Sequence, residues 1–137
     1  MIIEGKKILL LSPHTDDGEI GAGGFVAKFS DKNSIYHASF SFARDSISGP
    51  FSENSTKNEF SCASDALNIH KNNRINFDYK VRVFSSRRQE ILDDLIQLRG
   101  KVDPDIVLSI GGGSAIDMGK LINALSAQDK NDYENII

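Results

Sequence analysis

"KKILLLSP", residues 6–13, is a continuous apolar run closed at both ends by polar residues. A strand with one wet face alternates polar and apolar residues. One that is apolar throughout needs cover on both faces. The run therefore predicts a buried strand in a parallel sheet with helices above and below it.

The rest of the chain fits that frame. "GEIGAGGFVAKFSDK" (18–32) spaces Ile20, Phe25, Val26 and Phe29 like a helix, with glycines that imply close packing. "SIYHASFSFA" (34–43) alternates and predicts a second strand. Residues 44–58 are polar, contain Gly49-Pro50 and read as a loop. A helix follows at 59–69, with Phe60, Ala63, Ala66 and Leu67 on one face, then a third strand at 75–84 with a break inside it. The clearest helix is 85–102, capped by Ser86 and carrying Ile91, Leu92, Leu95, Ile96 and Leu98 as its apolar stripe. "PDIVLSI" (104–110) predicts a fourth strand, "GGGS" (111–114) a turn and 115–127 a last helix. The order β-α-β-α-β-α-β-α predicts an α/β fold. Its form is a Rossmann-like three-layer sandwich with a mostly parallel sheet of about four strands and right-handed crossovers. Its 137 residues fit one domain, 1–137.

Sheets of this kind bind ligands at the carboxyl ends of their strands. "PHTDDGE" and "GGGS" both fall there. His14 and Asp17 flank Thr15 and Asp16 directly after the first strand. Imidazole and carboxylate both suit Zn²⁺ or a similar divalent ion. Such an ion lowers the pKa of a water and polarises a carbonyl. Asp16, beside a ligand but free to point elsewhere, suits a general base. Glu19 suits a residue that orients a ligand or caps the helix. A second reading stands beside this one. Carboxylates at a helix start stabilise the exposed N–H groups and the dipole, and His14 then bonds to nearby backbone.

Composition narrows the partners. A net charge of −3 gives no electrostatic case for nucleic acid or an anionic membrane surface. No apolar run approaches the length of a membrane helix, and "MIIEGKK" lacks the order of a signal peptide, so a cytoplasmic location is expected. The single cysteine, Cys62, excludes an internal disulfide and any cysteine-based metal cluster.

"KILLLSPHTDDGEIGAGGFVAKF" resembles the opening of the PIG-L/LmbE-like deacetylases, whose signature is Pro-His-Pro-Asp-Asp-Glu before a glycine-rich helix start. "YKVRVFSSRRQEILDDLIQLRGKVDPDIVLS" resembles that family's later helix and strand, and the resemblance covers about residues 5–109. It implies metal-dependent removal of an N-acetyl group from an N-acetylglucosamine-like sugar. By position it makes His14 and Asp17 metal ligands and Asp16 the general base. The pattern departs at Thr15, where proline is usual, and at Gly18, where an acid is usual. Neither change removes a ligand. A third departure does: the family takes its third ligand from a histidine beyond the fourth strand. The histidines here are His14, His37 and His70. The resemblance therefore implies a truncated PIG-L-like portion with a weakly held metal and weak or absent activity. Asp117 is the nearest substitute donor in sequence context, in the first turn of the last helix.

"GGGSAIDMGKLINALSA" (111–127) resembles a different family, the iron-dependent alcohol and glycerol dehydrogenases. There the glycines let backbone N–H groups meet a dinucleotide pyrophosphate at a helix N-terminus. The chain thus looks like a deacetylase portion, 1–109, joined to a dehydrogenase-like segment, 110–137. Alternatives to the hydrolase are a nucleotide- or phosphate-binding module that uses the GGGS loop, and a chimeric structural domain without activity. A shortened sheet leaves an edge exposed, so self-association into a homo-oligomer is expected.

Overall fold

The structure, a computed structural model, describes residues 3–80 and 89–127. Eight main elements alternate along them. They are β1 (Lys7–His14), α1 (Thr15–Phe29), β2 (Ser34–Ser41), α2 (Ser55–Ala66), β3 (Arg74–Asn76), α3 (Gln89–Val102), β4 (Ile106–Ser109) and α4 (Gly113–Ser126). The sheet order is β3-β2-β1-β4, and every pairing is parallel. This is the α/β fold expected from the buried first strand.

The two faces of β1 explain its continuous apolar run. Leu9 and Leu11 point to one face, where they join Ala38 and Phe40 of β2, Ile91, Leu95 and Leu98 of α3, and Met118 and Ile122 of α4. Ile8 and Leu10 point to the other, against Ala22 and Val26 of α1, Ile35 of β2 and Ile69. Helices therefore lie on both sides of the sheet, and four successive leucine and isoleucine side chains are all within 1% of full burial. Burying each contributes about 1.5–3 kcal/mol. Among the described residues, no helix is long and apolar enough to cross a membrane.

Several element boundaries differ from expectation, each for a local reason. Helix α1 starts at Thr15, not near Gly18, because the Asp17 carboxylate accepts the His14 backbone N–H at 3.1 Å and closes the first turn. Its buried stripe is Thr15, Gly18, Ala22 and Val26, so Ile20 falls outside it and is 84% exposed. On α2 the buried residues are Phe60 and Ser64, while Ala66 is exposed. The stretch expected as a loop holds a helical turn at Arg44–Ser46 and the start of α2 at Ser55. Strand β3 ends at Asn76, and Asp78, at φ 52°, supplies the expected break. Beyond it the backbone still bonds to β2, through the N–H of Tyr79 and the carbonyl of Phe40 at 2.8 Å. Residues 81–88, including Ser86 and the start of the helix expected from 85, lie outside the described residues, as does the tail from 128.

The glycine run divides between turn and helix. Gly111 sits at φ 143°, a conformation open to glycine, and a Cβ there would lie 2.8 Å from the ring of Pro13. Gly112 caps α4, and Gly113 and Ser114 are already helical, two residues earlier than expected. The carboxyl end of β4 is thereby pressed against the carboxyl end of β1.

Candidate active site

His14 is the last residue of β1 and Thr15 the first of α1, with no residue between them. The sequence thus delivers His14, Asp16 and Asp17 to one spot, the carboxyl end of a central strand and the amino end of a helix. Donor atoms from these three side chains lie within 4.8 Å of one another. The arrangement suits a divalent cation, since it offers one imidazole nitrogen and two carboxylates within a single small volume.

The hydrogen bonds fix the roles open to each group. Oδ2 of Asp17 accepts from the His14 backbone N–H and lies 3.0 Å from Nδ1 of its ring. A carboxylate only accepts, so this contact places the ring proton on Nδ1 and leaves Nε2 with a free lone pair. Carboxylate-oriented histidine is a common partner of bound metal. In this geometry Asp17 holds the ring and keeps Oδ1 for a cation, while Asp16 is exposed and carries no such bond.

Behind His14 lies a buried polar layer. The Ser12 hydroxyl donates to the carbonyl of His14 at 2.7 Å and lies 2.9 Å from Nε2 of His37. Since its one proton goes to that carbonyl, His37 must donate through Nε2, and its Nδ1 is a buried atom without a partner. His37 is fully buried, edge-on to Phe60 at 5.0 Å between ring centres. Burial lowers its pKa to about 4, so the ring is neutral at pH 7. His70 is exposed, and its Nδ1 accepts the Asn72 N–H at 3.2 Å. Neither histidine joins the donor group. Asp117 does not join it either. It is the fifth residue of α4, beyond the first turn, and pairs with Lys120 at 3.2 Å.

A cleft of about 230 Å³ opens beside the donors, lined by His14, Thr15 and Asp16 on one side and by Phe42, Ala43, Ser46, Thr56 and Glu59 on the other. Sequence reasoning missed the second set, because a polar loop and the exposed face of a helix carry no periodic signal. Ala43 holds a left-handed conformation at φ 52°, unusual for a residue with a side chain. Its N–H is taken by the Ser41 hydroxyl at 2.9 Å, and the turn it starts carries Ser46 to the cleft wall. Glu19 stands half-buried below. Burial, then Asp16, then Glu59 raise its carboxyl to about 7, and its Oε1 has no partner. Asp16, Asp17, Glu19 and Glu59 therefore crowd this end of the sheet, and a cation would relieve them.

No family model matches the chain, and no curated protein matches it at a significant level. Solved structures do match. N,N'-diacetylchitobiose deacetylase from Pyrococcus horikoshii superimposes with a TM-score of 0.74 at 21% identity, over 96% of this chain and 55% of its own. The likeness fixes the fold. It is an α/β fold with a parallel four-stranded sheet, matching PIG-L-like neighbours. GalB, the 4-carboxy-2-hydroxymuconate hydratase from Pseudomonas putida KT2440, matches with a TM-score of 0.70 at 17% identity, over 90% of this chain and 57% of its own. The A40926 pseudoaglycone deacetylase Dbv21 matches with a TM-score of 0.63 at 18% identity, over 90% and 60%. Two of these neighbours are deacetylases and one is a hydratase. The chain spans somewhat more than half the length of each.

Proposed function

We propose that the chain carries a metal-dependent hydrolase site of the deacetylase type, acting on the N-acetyl group of an N-acetylglucosamine-like sugar. The observation that carries this reading is the convergence of His14, Asp16 and Asp17 donor atoms at the mouth of a cleft. Two deacetylases among the structural neighbours support it. His14, through Nε2, and Asp17 would hold Zn²⁺ or another divalent ion. The bound ion would supply a water of lowered pKa and polarisation of the amide carbonyl. Asp16, exposed on the same turn, would take a proton from that water and return it to the departing amine. Asp17 keeps the imidazole in the required tautomer.

The site would be weak. Without a histidine as third ligand an ion would have two firm protein ligands, and a third contact from Asp16 would remove the base. Turnover is therefore expected far below that of a complete three-ligand site. The same reading treats residues 1–137 as one α/β unit, because Met118 and Ile122 of the glycine-rich segment's helix share a core with Leu9 and Leu11 of β1.

Zinc titration of the wild-type protein and three variants tests the proposal. His14→Ala and Asp17→Ala are expected to abolish binding. Asp16→Asn is expected to keep zinc and lose residual deacetylation of N-acetylglucosamine. Unchanged zinc binding in His14→Ala and Asp17→Ala would refute the assignment.

A further inference from the structure

The backbone of His14 is held on both sides of its Cα. Its N–H donates to Oδ2 of Asp17 at 3.1 Å, and its carbonyl accepts the Ser12 hydroxyl at 2.7 Å. The Ser12 oxygen in turn accepts Nε2–H of His37 at 2.9 Å. Ser12 and His37 are both fully buried. The His37 ring lies where the two elements that carry the donors meet. Ser12 of β1 is on one side. Gly18 of α1 is on another, so close that a Cβ there would lie 2.4 Å from the same Nε2. Phe60 of α2 closes a third side, edge-on at 5.0 Å between ring centres.

We propose that His37 is a positioning residue for the metal site: through the Ser12 hydroxyl it fixes the His14 carbonyl, and with it the direction in which the His14 ring points. The inference rests on reading His14 as a metal ligand. Packing alone does not account for an imidazole at this place. Nδ1 of His37 is buried without a partner, which costs stability. An aliphatic side chain would fill the space without that cost, as Ile35 does two residues earlier on the same face of β2. What the imidazole adds is an N–H aimed at Ser12. A hydroxyl proton rotates to suit its surroundings. With the His37 N–H on the Ser12 oxygen, that proton is turned away from the ring and onto the His14 carbonyl. The effect reaches the His14 ring through Asp17. One carboxylate oxygen, Oδ2, meets both the backbone N–H and ring Nδ1 of His14, so a backbone shift at His14 would loosen the ring contact as well.

The test reads the His14 ring first without metal. Ring-nitrogen chemical shifts of the whole, zinc-free protein report the tautomer, and zinc titration follows on the same samples. The variants are Ser12→Ala, His37→Leu, the two combined, and His37→Gln, which keeps an N–H donor. Each is measured at a temperature where denaturation shows it fully folded, so lost stability does not enter. The wild-type His14 ring is expected to carry its proton on Nδ1. Ser12→Ala and His37→Leu should each move it towards a mixture of tautomers. Each should also weaken zinc binding about tenfold, the low end of what losing a partner behind a metal ligand costs. The combined variant should lose no more than Ser12→Ala alone, because His37 acts through that hydroxyl. His37→Gln should restore both readouts. Wild-type ring shifts in His37→Leu or Ser12→Ala would overturn the assignment, as would unchanged zinc affinity in either. So would additive losses in the combined variant, or a His37→Gln protein no better than His37→Leu. The hydrolase reading fails separately. If the wild-type protein binds no zinc, that reading falls, and the ring shifts of the zinc-free proteins alone decide whether His37 positions His14.

Discussion

A side chain on Gly18 and the ring of His37 would occupy the same space: a Cβ on Gly18 would lie 2.4 Å from Nε2 of His37. This accounts for the glycine at a position where the resembling motif carries an acid. The imidazole fills the room, and its bond to Ser12 fixes it there.

Gly18→Ala is therefore expected to destabilise by ~1–3 kcal/mol, the usual penalty for overpacking a filled interior. Combining it with His37→Ala should recover part of that loss. Chemical denaturation of the two single variants and the double gives the coupling directly. Strictly additive losses would mean the two positions do not compete.

The same histidine makes stability depend on pH. Its folded pKa of about 4 lies below the ordinary 6.5, so the unfolded chain binds the extra proton first as pH falls. The stabilisation is complete above about pH 6.5 and is lost as pH falls towards 4, by ~3 kcal/mol across the window. His37→Gln should flatten the curve between those limits. An unchanged slope in that variant would place the titration elsewhere.

Glu19 acts with the opposite sign. Its carboxyl is raised from 4.5 to about 7, so the fold favours the protonated form. The cost of charging it grows as pH rises through that window and persists above it. Glu19→Gln should raise the melting temperature at pH 8 and change it little at pH 4. A melting temperature that rises equally at both values would argue against a charge effect.

Zinc should stabilise the fold through the His14 site. At about one hundred times its dissociation constant a ligand adds ~2.7 kcal/mol to the folded state. Thermal melts with and without zinc should show this shift in the wild-type protein and none in His14→Ala. Equal shifts in both would point to nonspecific binding.

Much of this was legible from residue order. Residues 6–13 imply a strand covered on both faces because nothing else hides four large apolar side chains in a row, and β1 is such a strand. The His14, Asp16 and Asp17 cluster was legible because its members are adjacent in sequence. The cleft's far wall was not, since Ser46 reaches it on the turn that the left-handed Ala43 starts, and Thr56 and Glu59 come from a separate helix, α2. Ile20 misled for a related reason. Small residues, not large ones, face the sheet from α1, so hydrophobic size marked the wrong stripe. The fate of His37 also needed coordinates, because burial and its contact with Gly18 involve residues nineteen positions apart.

Strand β1 passes into helix α1 between His14 and Thr15 without a spacer. One inserted residue at that joint would turn everything after it by about 100° around the helix axis. Asp16 and Asp17 would swing away from His14, and the Thr15–Gly18–Ala22–Val26 stripe would leave the sheet at the same moment. Whatever chemistry the three donors perform therefore has no freedom to drift in length. It can be retuned only by exchanging side chains in place, and each exchange is also a test of whether the helix still docks.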